Sequence, residues 1–210
     1  LKRFRAILFV AENQRHRVPG FAYLLHEPQI GFGYLDWIAT RVGQASGGIG
    51  GALYDRVRQE LVALGARGLF FECLPDEASL CEDHALLAEN RKRLRFYEQY
   101  GARPIIGTAY EKPYKPGQSC MPHLMFDGLG RTARLDREFL HAVVRAILER
   151  KYAGTVPADY VQMVVASIHT DPVRLRDFRY VKPSAISPAV SVRPNERIAL
   201  VFPHQHFAHH

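Results

Sequence analysis

The run Ser46-Gly47-Gly48-Ile49-Gly50-Gly51 constrains this chain more than any other segment. Four glycines in six residues separate a β-forming stretch, residues 30–39, from a stretch in which Leu53, Val57, Leu61 and Leu64 recur at helical spacing. A glycine turn that opens a helix exposes backbone N–H groups where the helix dipole is positive. Without a Cβ, the main chain also lets a diphosphate come close. The turn therefore predicts an anion site at a helix N-terminus; a tightly packed turn explains the same residues, and the turn alone favours neither reading. The helix is expected over 49–64, stopped by Gly65-Ala66-Arg67-Gly68, with the apolar strand Leu69-Phe70-Phe71-Glu72-Cys73 after it. The result is a strand-turn-helix-strand unit.

On either side the pattern is equally readable. Segments 4–10, 21–25 and 30–39 are apolar and broken by Pro-Gly and Glu-Pro signals, which predicts a three-stranded antiparallel meander. Residues 85–100 resume helical periodicity until Gly101, and strands are expected at 104–110 and 123–126 around a proline-rich loop, 112–122. Helices are expected over 135–152 and from Pro157 to near Ile168, and prolines after Asp171 break any long periodicity. The fold class expected is mixed α/β with a mostly antiparallel central sheet. A core domain would cover 1–130, a helical extension 131–170, and a linker and tail 171–210 with a short strand at 198–202.

Composition narrows the function classes. With 210 residues, 47% of them hydrophobic, the chain can bury a full core. The net charge of +7 suits an acidic ligand, but the arginines are scattered and no zinc-finger or helix-turn-helix signature accompanies them, which disfavours nucleic acid. No apolar run is long enough to span a membrane, and no leader pattern opens the chain. The three cysteines, Cys73, Cys81 and Cys120, are odd in number and form no C-x-x-C pair, which predicts free thiols and a cytoplasmic location. Leu1 in place of methionine suggests a piece of a longer protein; a homodimer or a fusion to a further domain is compatible. His204, His206, His209 and His210 crowd the last seven residues, and no metal centre is expected from them.

Two familiar nucleotide sites fail on spacing. The third glycine of a Rossmann fingerprint is displaced, and no Gly-Lys-Ser/Thr follows the turn as a P-loop needs. A second block, Asn90-Arg91-Lys92-Arg93-Leu94-Arg95-Phe96-Tyr97-Glu98-Gln99-Tyr100-Gly101-Ala102, resembles the N-x6-Y-E-x-x-G-F segment of the GNAT superfamily of N-acetyltransferases. Gly48-Ile49-Gly50 resembles that family's G-x-G pyrophosphate loop. The likeness extends over roughly residues 4–126.

The resemblance implies acetyl-coenzyme A as co-substrate and an amine as acceptor. It implies backbone groups of Trp37, Ile38 and Ala39 for the pantetheine arm, the turn Ala45-Ser46-Gly47-Gly48-Ile49-Gly50 for the pyrophosphate, and Asn90 for the cofactor arm. Tyr97 would protonate the leaving thiolate. Glu72, a carboxylate within an apolar strand, is the first candidate for the base, and it resembles the strand glutamate of "LEV"-type family members. Asp36 is the reserve, with Glu111, His26, His84 and His123 weaker. On helical spacing alone Tyr97 reads as a core aromatic, and Glu72 reads equally as an exposed or paired strand residue.

Four departures bear on this. Ala45 stands where the family usually carries Arg or Gln, so Gln44 or Arg41 would have to substitute. Ala102 replaces the usual Phe, and the 74–89 link is long. The strand and two acceptor-binding helices that normally precede the meander have little sequence to occupy before Phe4. An acyl-coenzyme-A sensor or interaction module without catalysis is the alternative.

Overall fold

Alternating burial sets the first strand. On β1 (Arg5–Ala11) Ile7 and Phe9 are buried while Ala6, Leu8 and Val10 are half-exposed, the period-2 pattern of a strand with one face on a core. β1 pairs antiparallel with β2 (Gly20–Glu27), and β2 with β3 (Phe32–Thr40), so the expected meander is present. The structure is a computed structural model and describes residues 3–41, 48–131, 134–186, 190 and 198–201. The chain folds into two compact units, which divide between Leu69 and Phe70.

In the N-terminal unit the strand order is β3-β2-β1-β7, where β7 (Ile198–Val201) returns to pair antiparallel with β1. Helix α1 (Ile49–Ala63) packs on this meander through Leu53, Tyr54, Val57 and Leu61, all fully buried. Two glycines let it come that close. A Cβ on Gly33 would stand 2.5 Å from the Leu61 methyls, and one on Gly20 would stand 2.8 Å from the Ala39 carbonyl oxygen.

β4 (Gly68–Cys73) follows α1, completing the strand-turn-helix-strand unit expected from the sequence. In the C-terminal unit the order is β5-β6-β4, with β5 (Arg103–Pro104) antiparallel to β6 (His123–Asp127). The molecule is thus mixed α/β, and the strand pairs of the N-terminal unit are all antiparallel among the described residues.

The strand expected at 104–110 shrinks to two residues. Ile105 N–H donates to the Leu124 carbonyl of β6 on one side, but the next donors turn to another partner: Ile106 N–H reaches the Arg174 carbonyl and Arg176 N–H the Pro104 carbonyl. Gly107, at φ 77, then bends the chain away.

α2 (His84–Glu98) starts at Asp83, whose side chain accepts from the Ala85 N–H, and buries Leu87, Asn90, Leu94, Tyr97 and Glu98 along one stripe. Gly101, at φ 87, ends it as expected. α3 (Arg137–Ala146) is capped by Asp136 and widens into a π-helical turn, Ile147–Lys151, within the helix expected over 135–152. α4 (Ala158–Ala166) begins after Pro157. β4 is the divider of this unit: Phe70 meets Phe126 and Phe139, at ring separations of 5.2 and 5.8 Å, whereas Phe71 meets Tyr97 at 4.3 Å.

Two expectations are corrected here. Cys81 and Cys120 form a disulfide and only Cys73 is a free thiol among the described residues, so the odd count misled: one buried cysteine leaves an even pair. The inference of a reducing cytoplasm loses its premise. The segment after Asp171, read as a linker, packs through residue 181. Val173 N–H donates to the Leu135 carbonyl, and the N–H groups of Arg179, Tyr180 and Val181 converge on the Glu98 carboxylate at 3.2, 2.7 and 3.2 Å.

Candidate functional site

Each unit carries a candidate region. In the N-terminal unit β2 and β3 fall out of step: Tyr23 faces Trp37, but Leu24 faces Leu35, which leaves Asp36 as the extra residue of a bulge. Past the bulge Trp37 is 64% exposed, and Ile38 and Ala39 are half-buried. A bulge re-aims the backbone at this end of β3, where the pantetheine contacts are expected.

The described part of the glycine turn fits an anion. Gly48 is the N-cap of α1 at φ 73, a left-handed conformation that costs other residues about 1–2 kcal/mol, and no atom of the described residues lies within 4 Å of a Cβ placed there. Among the described residues no side chain caps α1, and its first turn holds no acid. Ile49 and Gly50 form the first turn. Ala45, Ser46 and Gly47 lie outside the described residues. Beside the end of β3 lies a cavity of about 560 Å³ lined by Arg17, Val18, Pro19, Gly20, Phe21, Ala39, Thr40 and Arg41. Its two guanidinium groups suit phosphate, and Arg17 had no signal in the sequence beyond its charge.

The second region belongs to the C-terminal unit and centres on Glu72. Strand alternation puts Glu72 on the Phe70 face of β4, among Tyr110, Tyr152 and Tyr160, and away from the Phe71 face that Tyr97 covers. Tyr110 Oη donates to Glu72 Oε1 and Tyr152 Oη to Glu72 Oε2, both at 2.6 Å. Tyr160 Oη donates to the Tyr110 carbonyl at 2.8 Å. Around the carboxylate is a cavity of about 220 Å³ whose walls include Tyr110, Tyr114, Tyr152, Tyr160, Met121 and Leu148. Burial, then the Glu72 charge, push the Tyr110 phenol well above its ordinary value and Tyr160 up to about 12. Both phenols stay protonated and donate.

Tyr97 is buried against Phe71 and Phe96. Burial first, and the neighbouring Cys73 second, push its phenol well above the usual value. The two expected catalytic groups therefore lie on opposite faces of β4. Asn90 is buried, and its amide donates to the Pro75 carbonyl at 2.8 Å, which ties α2 to the chain leaving β4.

The other candidates have structural occupations. Asp76 is the centre of a buried ionic group: Arg176 and Arg179 donate to it at 2.8 and 3.2 Å, Tyr180 Oη donates as well, and His123 Nε2 stands 3.9 Å away. His123 Nδ1 is bonded to Glu111. Burial alone would raise the Asp76 carboxyl; the groups around it outweigh burial and hold it well below the usual range. Burial would likewise lower His123, but the Asp76 and Glu111 carboxylates win and raise it. His26, buried on β2, is pushed down by burial. His84 opens α2, and Asp36 occupies the bulge. Among the described residues no group of three or more His, Cys, Asp or Glu could hold a metal. The terminal histidines lie outside them. No helix among the described residues is long and apolar enough to cross a membrane.

No protein-family model matches this chain, and no curated protein sequence does. Solved structures do show a likeness. An aminoglycoside 6'-N-acetyltransferase complexed with coenzyme A is 18% identical over 60% of this chain and 73% of its own, with a TM-score of 0.47. A Bacteroides thetaiotaomicron protein described as a GNAT-family acetyltransferase is 21% identical over 68% of this chain and 71% of its own, also at 0.47. Nourseothricin acetyltransferase is 17% identical over 57% of this chain, with a TM-score of 0.42, and the match spans 61% of its length, under two thirds.

Proposed function

We propose that this chain is a GNAT-type N-acetyltransferase, which moves an acetyl group from acetyl-coenzyme A to an amine by direct attack. The observation that carries the reading is Glu72: a strand carboxylate opening on a cavity, held by two phenols and by no cation among the described residues. The two sequence blocks around Gly48 and Asn90 supply the coenzyme. Its diphosphate suits the open end of α1 at Gly48, Ile49 and Gly50, with the expected contacts of Ala45, Ser46 and Gly47, and Arg17 and Arg41 suit further phosphate charge. Trp37, Ile38 and Ala39 are assigned to the pantetheine arm, and the resemblance assigns Asn90 to the cofactor arm, although its amide donates to the Pro75 carbonyl.

Coenzyme A supplies the activated thioester. Glu72 takes the proton of the incoming ammonium so that a neutral amine attacks. Tyr97 is the group assigned to the departing thiolate. A phenol above its ordinary value is a weaker acid than a thiol near 8.5, so full proton transfer from Tyr97 would be uphill. Tyr97 therefore stabilises the thiolate by donating a hydrogen bond. Direct attack is favoured over an acyl-cysteine route, because Cys81 and Cys120 are bonded to each other and burial pushes the Cys73 thiol up to about 12.

The sensor reading survives on one observation, the depth at which Tyr97 is packed between Phe71 and Phe96. Calorimetry with acetyl-coenzyme A, paired with thiol release over a panel of amines, separates the two. The transferase reading expects binding with release, and a Tyr97→Phe variant that binds normally but turns over about 10- to 100-fold slower. Binding with no release from any amine leaves the sensor; no binding at all removes both.

A further inference from the structure

We propose that the Cys81–Cys120 disulfide is a redox clasp on the loop 111–122, whose opening by a dithiol loosens the wall of the Glu72 cavity and weakens acceptor binding. The effect on the acceptor rests on the transferase reading; the release of the loop does not. Three observations point to it. First, little else holds the loop. It contains no helix or strand, and among the described residues its backbone bonds stay within 109–118. Lys112 N–H donates to the Ala109 carbonyl, Gln118 N–H to the Lys115 carbonyl, and the N–H groups of Tyr114 and Lys115 to Gln118 Oε1. Three ties lead out of it: Glu111 to His123, the Tyr114 ring to that of Tyr160 at 5.3 Å, and Cys120 to Cys81.

Second, the other end of the bond is anchored. Cys81 is fully buried on the link 74–83, where Asp76 accepts from Arg176 at 2.8 Å and the Pro75 carbonyl accepts from the Asn90 amide at 2.8 Å. The bond passes that anchorage to a loop without its own. Cys120 sits at φ 54, a left-handed conformation that residues other than glycine adopt only under constraint, so its backbone can relax once the bond opens. Third, the loop supplies Tyr114, Gln118, Met121 and Pro122 to the cavity wall, whereas Glu72 and its donors Tyr110 and Tyr152 lie outside it. Opening the clasp therefore removes wall and leaves the carboxylate in place. The exchange begins at Cys120, which is half-buried while Cys81 is fully buried. A thiolate of the dithiol attacks Cys120 Sγ, the S–S bond breaks, and the Cys81 sulfur leaves as a thiolate and takes up a proton. The second thiolate of the reductant then attacks its own sulfur in the mixed disulfide. Cys120 departs and is protonated, the reductant ends as a cyclic disulfide, and two electrons and two protons have passed to the protein.

The test follows the full chain with and without dithiothreitol. Chymotrypsin in native buffer, read by mass spectrometry, reports how fast the chain is cut after Tyr114, and the same samples give KM and kcat for n-butylamine at saturating acetyl-coenzyme A. Reduction should speed the Tyr114 cut about tenfold or more. It should raise KM about three- to tenfold while kcat stays within about twofold, and reoxidation by oxidised glutathione should reverse both. Cys120→Ser should match the reduced wild type and ignore the reductant; if that variant fails to fold, the wild-type comparison decides alone. A Tyr114 cut that reduction leaves unchanged would overturn the clasp, as would amine acetylation with the same KM in both states. The cut reads the clasp even where no acetylated amine forms, so a failure of the transferase reading shows separately.

Discussion

The two candidate regions are built by opposite means. In the N-terminal unit the work is done by backbone: a bulge at Asp36, an open helix end at Gly48, and glycines at 20 and 33 that let α1 approach the strands. In the C-terminal unit it is done by side chains, and its carboxylates show three degrees of neutralisation. Asp76 is surrounded by two arginines, a tyrosine and a histidine. Glu98 is met by three backbone N–H groups, with Arg176 at 4.0 Å. Glu72 is held by phenols only. A carboxylate that is fully matched in charge is committed to the fold, whereas one oriented by neutral donors keeps its charge for a ligand. That difference singles out Glu72 without reference to any family.

The strongest way to break this contrast is to remove the matched carboxylate. Asp76→Ala leaves Arg176 buried without its partner and should cost about 3–5 kcal/mol in denaturant unfolding, with faster amide exchange at residues 179–181. A loss under about 1 kcal/mol would mean that Asp76 is no more committed to the fold than a surface ion pair. Next in size is the disulfide, which closes a separation of 39 residues and ties the 74–83 link to the loop bearing Gln118, Met121 and Pro122. Cys120→Ser should cost about 2–4 kcal/mol, and reductant should lower the wild-type melting temperature to the variant's while leaving the variant unmoved.

The backbone-built unit is sharpened by a pair of glycines. Gly33→Ala drives a methyl into Leu61 and should cost about 1–3 kcal/mol. In Gly50→Ala the new methyl meets only the Thr40 methyl, at an ordinary 3.8 Å, so stability should hold or rise slightly. Equal losses for the two would contradict the close helix approach. The smallest expected effect is with pH. The Asp76 carboxyl is depressed in the fold, so its contribution is complete above an unfolded value of about 3.9 and fades as pH falls. His123 is raised, so its contribution is complete below about 6.5 and fades as pH rises through its folded value. Stability should therefore peak between those limits, and His123→Gln should flatten the alkaline slope and, because His123 is one of the groups that depress Asp76, soften the acid slope as well.

What could be read in advance follows the same division. The meander, α1, β4 and α2 are local patterns, in which periodicity and glycine stops decide the element, and they appear within a few residues of their expected bounds. The glycine turn does open a helix, with Gly48 as the N-cap of α1. The segment 173–181 was hidden because it has no periodicity: its order comes from Asp76 and Glu98, some 80 to 100 residues earlier. The Glu72 cavity was half legible. A lone carboxylate in an apolar strand drew attention, but its tyrosines come from a loop, a π-turn and α4, and no spacing links them. The disulfide was missed because pairing depends on which cysteine is buried alone, and the count does not show that.

The account turns on Glu72 as a proton acceptor for an amine. The direct measurement is acetylated product formed from acetyl-coenzyme A and n-butylamine, by wild type and Glu72→Gln, with coenzyme affinity determined on the same samples. The account predicts that the variant binds acetyl-coenzyme A as the wild type does and forms product about 100-fold or more slowly near neutral pH. Product formed at the wild-type rate by a folded Glu72→Gln protein would contradict it.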